Sequence, residues 1–154
     1  MPGPYKRRVP RLHGFDYATP GAYFVTVCVH KHACVLGSIQ DDEMKLSRIG
    51  EIVRDCWLGI AEHYPSVALD VFVVMPNHIH GIVWLNVGAG HAPPLHRVIG
   101  SFKSAASNKA GRSLWQRSFY DRVIRDDEEL RALREYVEAN PLRWPLDLEN
   151  PARR

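Results

Sequence analysis

The chain has 154 residues, with 20 Lys and Arg against 17 Asp and Glu, a formal charge of +3, 45% hydrophobic residues and three cysteines. A chain of this length is one domain that buries roughly 68–70% of its unfolded surface; this excludes dependence on a disulfide framework or structural metal, and the composition excludes wholesale disorder. No apolar run reaches the ~18 residues of a membrane span, and no apolar segment backs the basic start MPGPYKRRVPRLHG, so a cytoplasmic protein without a membrane partner is expected.

In chain order, residues 1–15 are a basic arm carrying Lys6, Arg7, Arg8 and Arg11, ahead of a single domain over 16–150. Ala22 to Val29 is β-branched and aromatic and follows Pro20-Gly21, which predicts a first strand. Residues 33–39 and 44–46 flank the acidic turn 41–43 and predict a short hairpin. From Ser47, a helix N-cap, apolar residues at Ile49, Ile52, Val53, Cys56, Trp57 and Ile60 keep helical spacing until His63-Tyr64-Pro65. Val67 to Met75 and His78 to Leu85 read as two adjacent central strands joined at Pro76-Asn77. After the loop 86–94, Leu95, Val98, Ile99, Phe102, Ala105 and Ala106 repeat as a helix; 107–114 reads as a loop and Trp115 to Ile124 as a strand. Asp126 or Asp127 caps a last helix with Leu130, Leu133 and Val137, stopped by Pro141. The order predicts an α+β protein: a ferredoxin-like βαββαβ sandwich, its antiparallel sheet carrying helices on one face, plus a C-terminal helix.

Charge is unevenly spread. Residues 97–125 hold seven bases, including Arg97, Lys103, Arg117 and Arg122, against Asp121 alone, and residues 126–149 reverse to eight acids against three bases. With the arm, this gives two basic segments, the pattern of a polyanion-binding surface if both lie on one face. Cys28, Cys34 and Cys56 lack CxxC spacing and are expected to be small buried hydrophobes.

Two clusters can carry chemistry. In Met75-Pro-Asn-His-Ile-His-Gly81, residues i and i+2 of a strand share a face, so His78 and His80 project together and can hold one divalent cation with open positions; two hydrogen-bonded core histidines fit the same triplet. His30 and His32, at a strand end, are expected to face solvent. In Tyr136-Val-Glu-Ala-Asn140, the phenol and amide lie on one helix face, suited either to a nucleophile and a polar ligand or to a core tyrosine and a helix end. Tyr120, in the basic strand segment, is an alternative nucleophile.

These motifs, in order with Gly14 to Cys28, the helix at Val98 to Ser104 and Trp115 to Arg122, resemble the HUH single-tyrosine transposases of the insertion-sequence-200 type, specifically the REP-associated tyrosine transposase branch. The resemblance covers most of the chain. It implies that His78 and His80 bind Mg²⁺ or Mn²⁺ with Asn140 as third ligand, although relatives more often carry Gln there. It implies that Tyr136, on the C-terminal helix, attacks single-stranded DNA to give a 5′-phosphotyrosine. Palindromic repeat hairpins are the implied substrate and a monomer or homodimer the implied assembly. Lys6, Arg7, Arg8 and Arg11 would read the hairpin foot or flanking bases, and Arg97, Lys103, Arg117 and Arg122 would contribute to DNA contact. The competing expectations are a hairpin-binding protein that no longer cuts and a metal-dependent hydrolase or oxygenase, the latter short of a carboxylate near the histidines.

Overall fold

The computed structural model describes residues 21–87 and 92–153; the arm with Lys6, Arg7, Arg8 and Arg11 lies outside the described residues. The elements are β1 (Gly21–Cys28), β2 (Gly37–Gln40), β3 (Glu43–Leu46), α1 (Arg48–His63), β4 (Ala68–Met75), β5 (His78–Leu85), α2 (Leu95–Ala110), β6 (Tyr120–Val123) and α3 (Asp127–Glu138). The main sheet has the order β4-β5-β1-β6, with every neighbouring pair antiparallel. This is the ferredoxin-like βαββαβ arrangement, with the β2–β3 hairpin inserted before α1.

Capping chemistry sets the helix starts. The Ser47 hydroxyl oxygen accepts from the Gly50 amide at 3.0 Å, and Asp126 Oδ1 accepts from the Glu129 amide at 2.7 Å, each satisfying an orphan donor. Three expectations need correction. First, α2 runs on to Ala110 instead of ending in a loop from residue 107, and Gly111, with φ of 74°, ends it in the left-handed conformation that glycine adopts without steric cost. Second, the strand expected over 115–124 is ordered as β only at 120–123, plus a single bridge between Trp115 and Val29. The Lys103 ammonium donates to the carbonyls of Gln116, Arg117 and Ser118 at 2.8, 3.1 and 3.4 Å, which takes that stretch away from a ladder. Third, β4 is an edge strand, not a central one.

Alternation along the strands divides the molecule. One face carries Val25, Val27, Ile79 and Val83 into a core closed by Val53, Trp57, Val98 and Phe102 of α1 and α2. Gly81 belongs to this face because Trp57 lies on it: a Cβ there would sit 2.4 Å from the indole. The other face carries Ala22, Ile82 and Trp84 against Ile124 and Leu130, and α3 covers it. Among the described residues no helix is long and apolar enough to cross a membrane.

Candidate active site

His78 and His80 belong to the face that α3 covers, at the start of β5. Cross-strand register fixes their surroundings: His78 lies opposite Cys28 and Met75, and His80 opposite Thr26 and Val73. Both rings are buried, and their Nε2 atoms face each other at 3.1 Å. Each Nδ1 has its own partner, Asn77 Oδ1 at 2.8 Å for His78 and Thr26 Oγ1 at 2.7 Å for His80.

Asn77, fully buried in the Pro-Asn turn, donates its amide to the carbonyls of Glu149 and His32 at 2.6 and 3.2 Å. Its oxygen is therefore left to accept from His78 Nδ1–H, which makes His78 Nε2 a bare lone pair. The Thr26 hydroxyl both donates and accepts, so His80 can adopt either tautomer. Burial pushes the His78 imidazole down to about 4, with Asp147 and Asn140 opposing and His32 adding to the shift. Burial first, then the neighbouring His78, drives His80 well below the ordinary histidine value. Both rings are thus neutral at pH 7, the form in which imidazole ligates metals.

Asn140 completes the group. Its Nδ2 donates to the Tyr136 carbonyl at 3.0 Å, while its Oδ1 is buried and accepts no hydrogen bond as long as the His78 ring is neutral. An unpartnered buried oxygen is costly unless something fills its lone pairs. A divalent ion about 2.1 Å from each imidazole, with the two ligands at right angles, would separate the nitrogens by about 3.0 Å. The donor set of two neutral imidazoles and one orphaned amide oxygen therefore fits a small divalent cation. Among the described residues no cluster of three or more His, Cys, Asp or Glu is arranged as a metal site.

Tyr136 lies in the last turn of α3, which ends at Glu138, so Asn140 sits past the helix end rather than on one helix face with it; Tyr136 stands 38% exposed, its ring centroid 5.4 Å from that of His80 and 6.1 Å from that of Phe24. Tyrosine and histidines meet within one chain. Tyr136 and His80 open on a cleft of about 690 Å³ whose lining also includes Asn140, Tyr120 and Arg143. The two candidate nucleophiles thus share one cleft.

The four basic residues proposed from the described part of the sequence do not converge on it. Arg97 is exposed at the start of α2. Lys103 is spent on the three carbonyls, and Arg117 lies beside it on a separate open groove of about 340 Å³. Arg122 pairs with Glu129 of α3.

Several functional neighbours escaped the sequence reading. Asp147 Oδ2 lies 3.9 Å from His78 Nε2, a carboxylate near the pair where none was expected. Glu149 reaches His32 Nδ1 at 2.8 Å, so His32 is paired rather than turned to solvent; His30 is exposed as expected. Both acids lie beyond Pro141, where no periodicity signals a return to the sheet. They also help burial push the Cys28 thiol up to about 12. Cys28 and Cys56 are buried as expected, but Cys34 is exposed. Asp70 did carry a signal, as the one acid inside the apolar run of β4. Its buried carboxylate accepts from Arg134 of α3 at 3.0 and 2.7 Å, from Trp84 Nε1 at 3.0 Å and from the Val71 amide at 2.8 Å. This bidentate clamp fastens the tyrosine helix to the edge strand. Burial alone would raise the Asp70 pKa, but these bonds and the Arg134 charge outweigh it and hold the carboxyl below its ordinary value.

No protein-family model matches the chain. An uncharacterised protein of Haemophilus influenzae is 33% identical over 168 aligned positions, covering 94% of this chain and 93% of that protein. The fold is similar to that of a REP-associated tyrosine transposase solved with a REP hairpin, with a TM-score of 0.64 and 20% identity over 80% of this chain and 67% of that one. It is also similar to a Deinococcus radiodurans R1 protein whose transposase name is an inferred one, with a TM-score of 0.51 and 17% identity over 83% of this chain and 95% of that one.

Proposed function

The chain belongs to one family with the Haemophilus influenzae protein, and we propose that its function is that of a transposase: a single-stranded DNA endonuclease and strand transferase acting on palindromic hairpins through a 5′-phosphotyrosine. The observation that carries this reading is the meeting of Tyr136, His80 and Asn140 in one cleft. The fold likeness to a tyrosine transposase that binds a REP hairpin supports it.

His78, His80 and Asn140 would hold Mg²⁺ or Mn²⁺; when bound, the ion neutralises charge on the scissile phosphate. The residues of the chain do the rest. Tyr136 loses its phenolic proton and its oxygen attacks phosphorus in line. The bond from phosphorus to the 3′ oxygen breaks, the leaving oxygen takes up a proton as a free 3′-hydroxyl, and the 5′-phosphate stays on the tyrosine. Phosphodiester energy is conserved, so an incoming 3′-hydroxyl can reverse the step. Asn77 and Thr26 keep the imidazoles oriented, in the way outer partners orient ligating histidines. The Asp70–Arg134 clamp holds the nucleophile's helix, and Arg143 at the cleft supplies a cation for the phosphate chain.

Incubation with labelled single-stranded hairpin DNA and Mn²⁺ tests the proposal. A denaturation-resistant protein–DNA adduct is expected, lost on chelation and in Tyr136→Phe. An adduct that survives Tyr136→Phe and disappears in Tyr120→Phe overturns the nucleophile assignment. Binding without cleavage identifies a hairpin-binding protein instead. Cleavage without an adduct favours a hydrolase, a reading for which Asp147 beside His78 supplies the carboxylate.

A further inference from the structure

We propose that Tyr120 is not a nucleophile but the aromatic platform on which one base of the single-stranded substrate stacks beside the cleavage position; this rests on the cleft being a DNA-processing site. Tyr120 lies on the edge strand β6, directly across from Thr26, which in turn lies across from His80. Directly opposed residues share a sheet face, so the phenol rises on the side of the histidines. It lines the cleft with Tyr136 and is 64% exposed, and among the described residues its hydroxyl has no hydrogen-bond partner.

Leu146 and Leu148, 73% and 74% exposed, line the same cleft. Three exposed large side chains with apolar surface, around a cleft that holds Arg143 and His80 along with Asp147 and Glu149, match a ligand with flat apolar faces. Unpaired nucleobases on a phosphate chain have that chemistry, and a base stacks on any aromatic ring regardless of its identity. A duplex, whose bases are already stacked, would leave the ring unused. The two tyrosines thereby divide the work: Tyr136, against His80, reacts with the phosphate, and Tyr120 at the sheet edge holds the neighbouring base.

The test compares Tyr120→Phe, Tyr120→Trp and Tyr120→Ala with the unaltered protein, using single-stranded oligonucleotides that carry an abasic residue at each position around the cut in turn. Binding and adduct yield are both read, with melting temperatures confirming that each variant is folded. Phe and Trp should retain affinity and adduct, and Ala should weaken binding roughly 5- to 150-fold, the equivalent of about 1–3 kcal/mol. One abasic position should reproduce that loss in the unaltered protein and cost the Ala variant nothing further. The dependence of affinity on salt should not change, because no phosphate contact is removed. Loss of the adduct in Tyr120→Phe, unchanged binding in Tyr120→Ala, or fully additive losses for Ala and every abasic position overturns the proposal. If the unaltered protein forms no adduct at all, the reading of the cleft fails, and the binding comparison still decides whether Tyr120 stacks a base.

Discussion

The two faces of the sheet are built from the same four strands by the same alternation, and they differ in what lies opposite. Beneath α1 and α2, Trp57, Phe102, Ile79 and Val83 fill one continuous apolar volume. Beneath α3 the apolar cluster is small, and past it the strands present imidazoles, Thr26 and Asp70, joined by Asn77 of the β4–β5 turn and Asn140 past α3, each of these polar groups held by a named partner except the Asn140 oxygen. The first face provides stability through buried area. The second uses hydrogen bonds to fix where a few polar atoms point, at the expense of packing. Substitutions on the helix-pair face should therefore move stability without altering activity per folded molecule, and substitutions on the α3 face should lower activity by more than their effect on stability explains.

The largest expected effect is on the helix-pair face. Trp57→Ala removes a fully buried tryptophan from that core and should cost about 3–5 kcal/mol in denaturant unfolding, while adduct yield per folded molecule stays unchanged. Next comes the histidine pair, in chelator and without added metal. In the unfolded chain His78 takes up a proton near 6.5, whereas in the folded protein it resists until about 4. The unfolded state then binds more protons across that window, so stability should fall as pH drops from about 6.5 toward 4, by on the order of 2–3 kcal/mol. A histidine ring-proton titration placing His78 near 6.5 in the folded protein would break the argument for neutral ligands.

A smaller effect is expected at the clamp. Asp70→Asn leaves Arg134 without its carboxylate and should cost about 1.5–3 kcal/mol at pH 7. The Asp70 pKa is depressed in the folded state, so its contribution is present above about 3.8 and lost as pH falls through the folded value. The stability gap between the two proteins should close under acid. Because the clamp carries the tyrosine helix, adduct yield should fall further than the unfolded fraction explains. The smallest stability change belongs to Asn140→Leu. The orphaned oxygen costs the metal-free protein about as much as the lost Nδ2 bond contributes, so the midpoint should move by less than about 1 kcal/mol. Mn²⁺ binding, read by calorimetry, should weaken sharply; unaltered Mn²⁺ affinity would remove Asn140 from the ligand set.

Local regularities made most of the fold legible. The helical spacing from Ser47 to Ile60 and the two apolar runs Val67 to Met75 and His78 to Leu85 were read as a helix and two strands, and their bounds fall within a residue or two of expectation. The expected strand over 115–124 was misplaced because a distant group intervenes. Lys103 captures three carbonyls thirteen to fifteen residues away and shortens the expected strand. For the site, His78 and His80 were legible because period 2 forces them together. Tyr136 and Asn140 were legible as near neighbours four positions apart, although α3 ends at Glu138 and the Asn140 side chain instead turns back to the Tyr136 carbonyl. Asp147 and Glu149 were not, because a tail without periodicity carries no information about which sheet edge it returns to.

The sequence by itself determined which side chains share an element's face, since φ/ψ periodicity is a property of neighbouring residues. It thereby determined the pair His78 with His80, and proximity along the chain set Tyr136 near Asn140. Only the tertiary structure decided that these pairs meet, that Asn140 is left with an unfilled oxygen, that Asp70 clamps the tyrosine helix and that Tyr120 stands across the same cleft. Those contacts join residues tens of positions apart, and their geometry follows from sheet order and helix packing, which depend on the whole core settling at once.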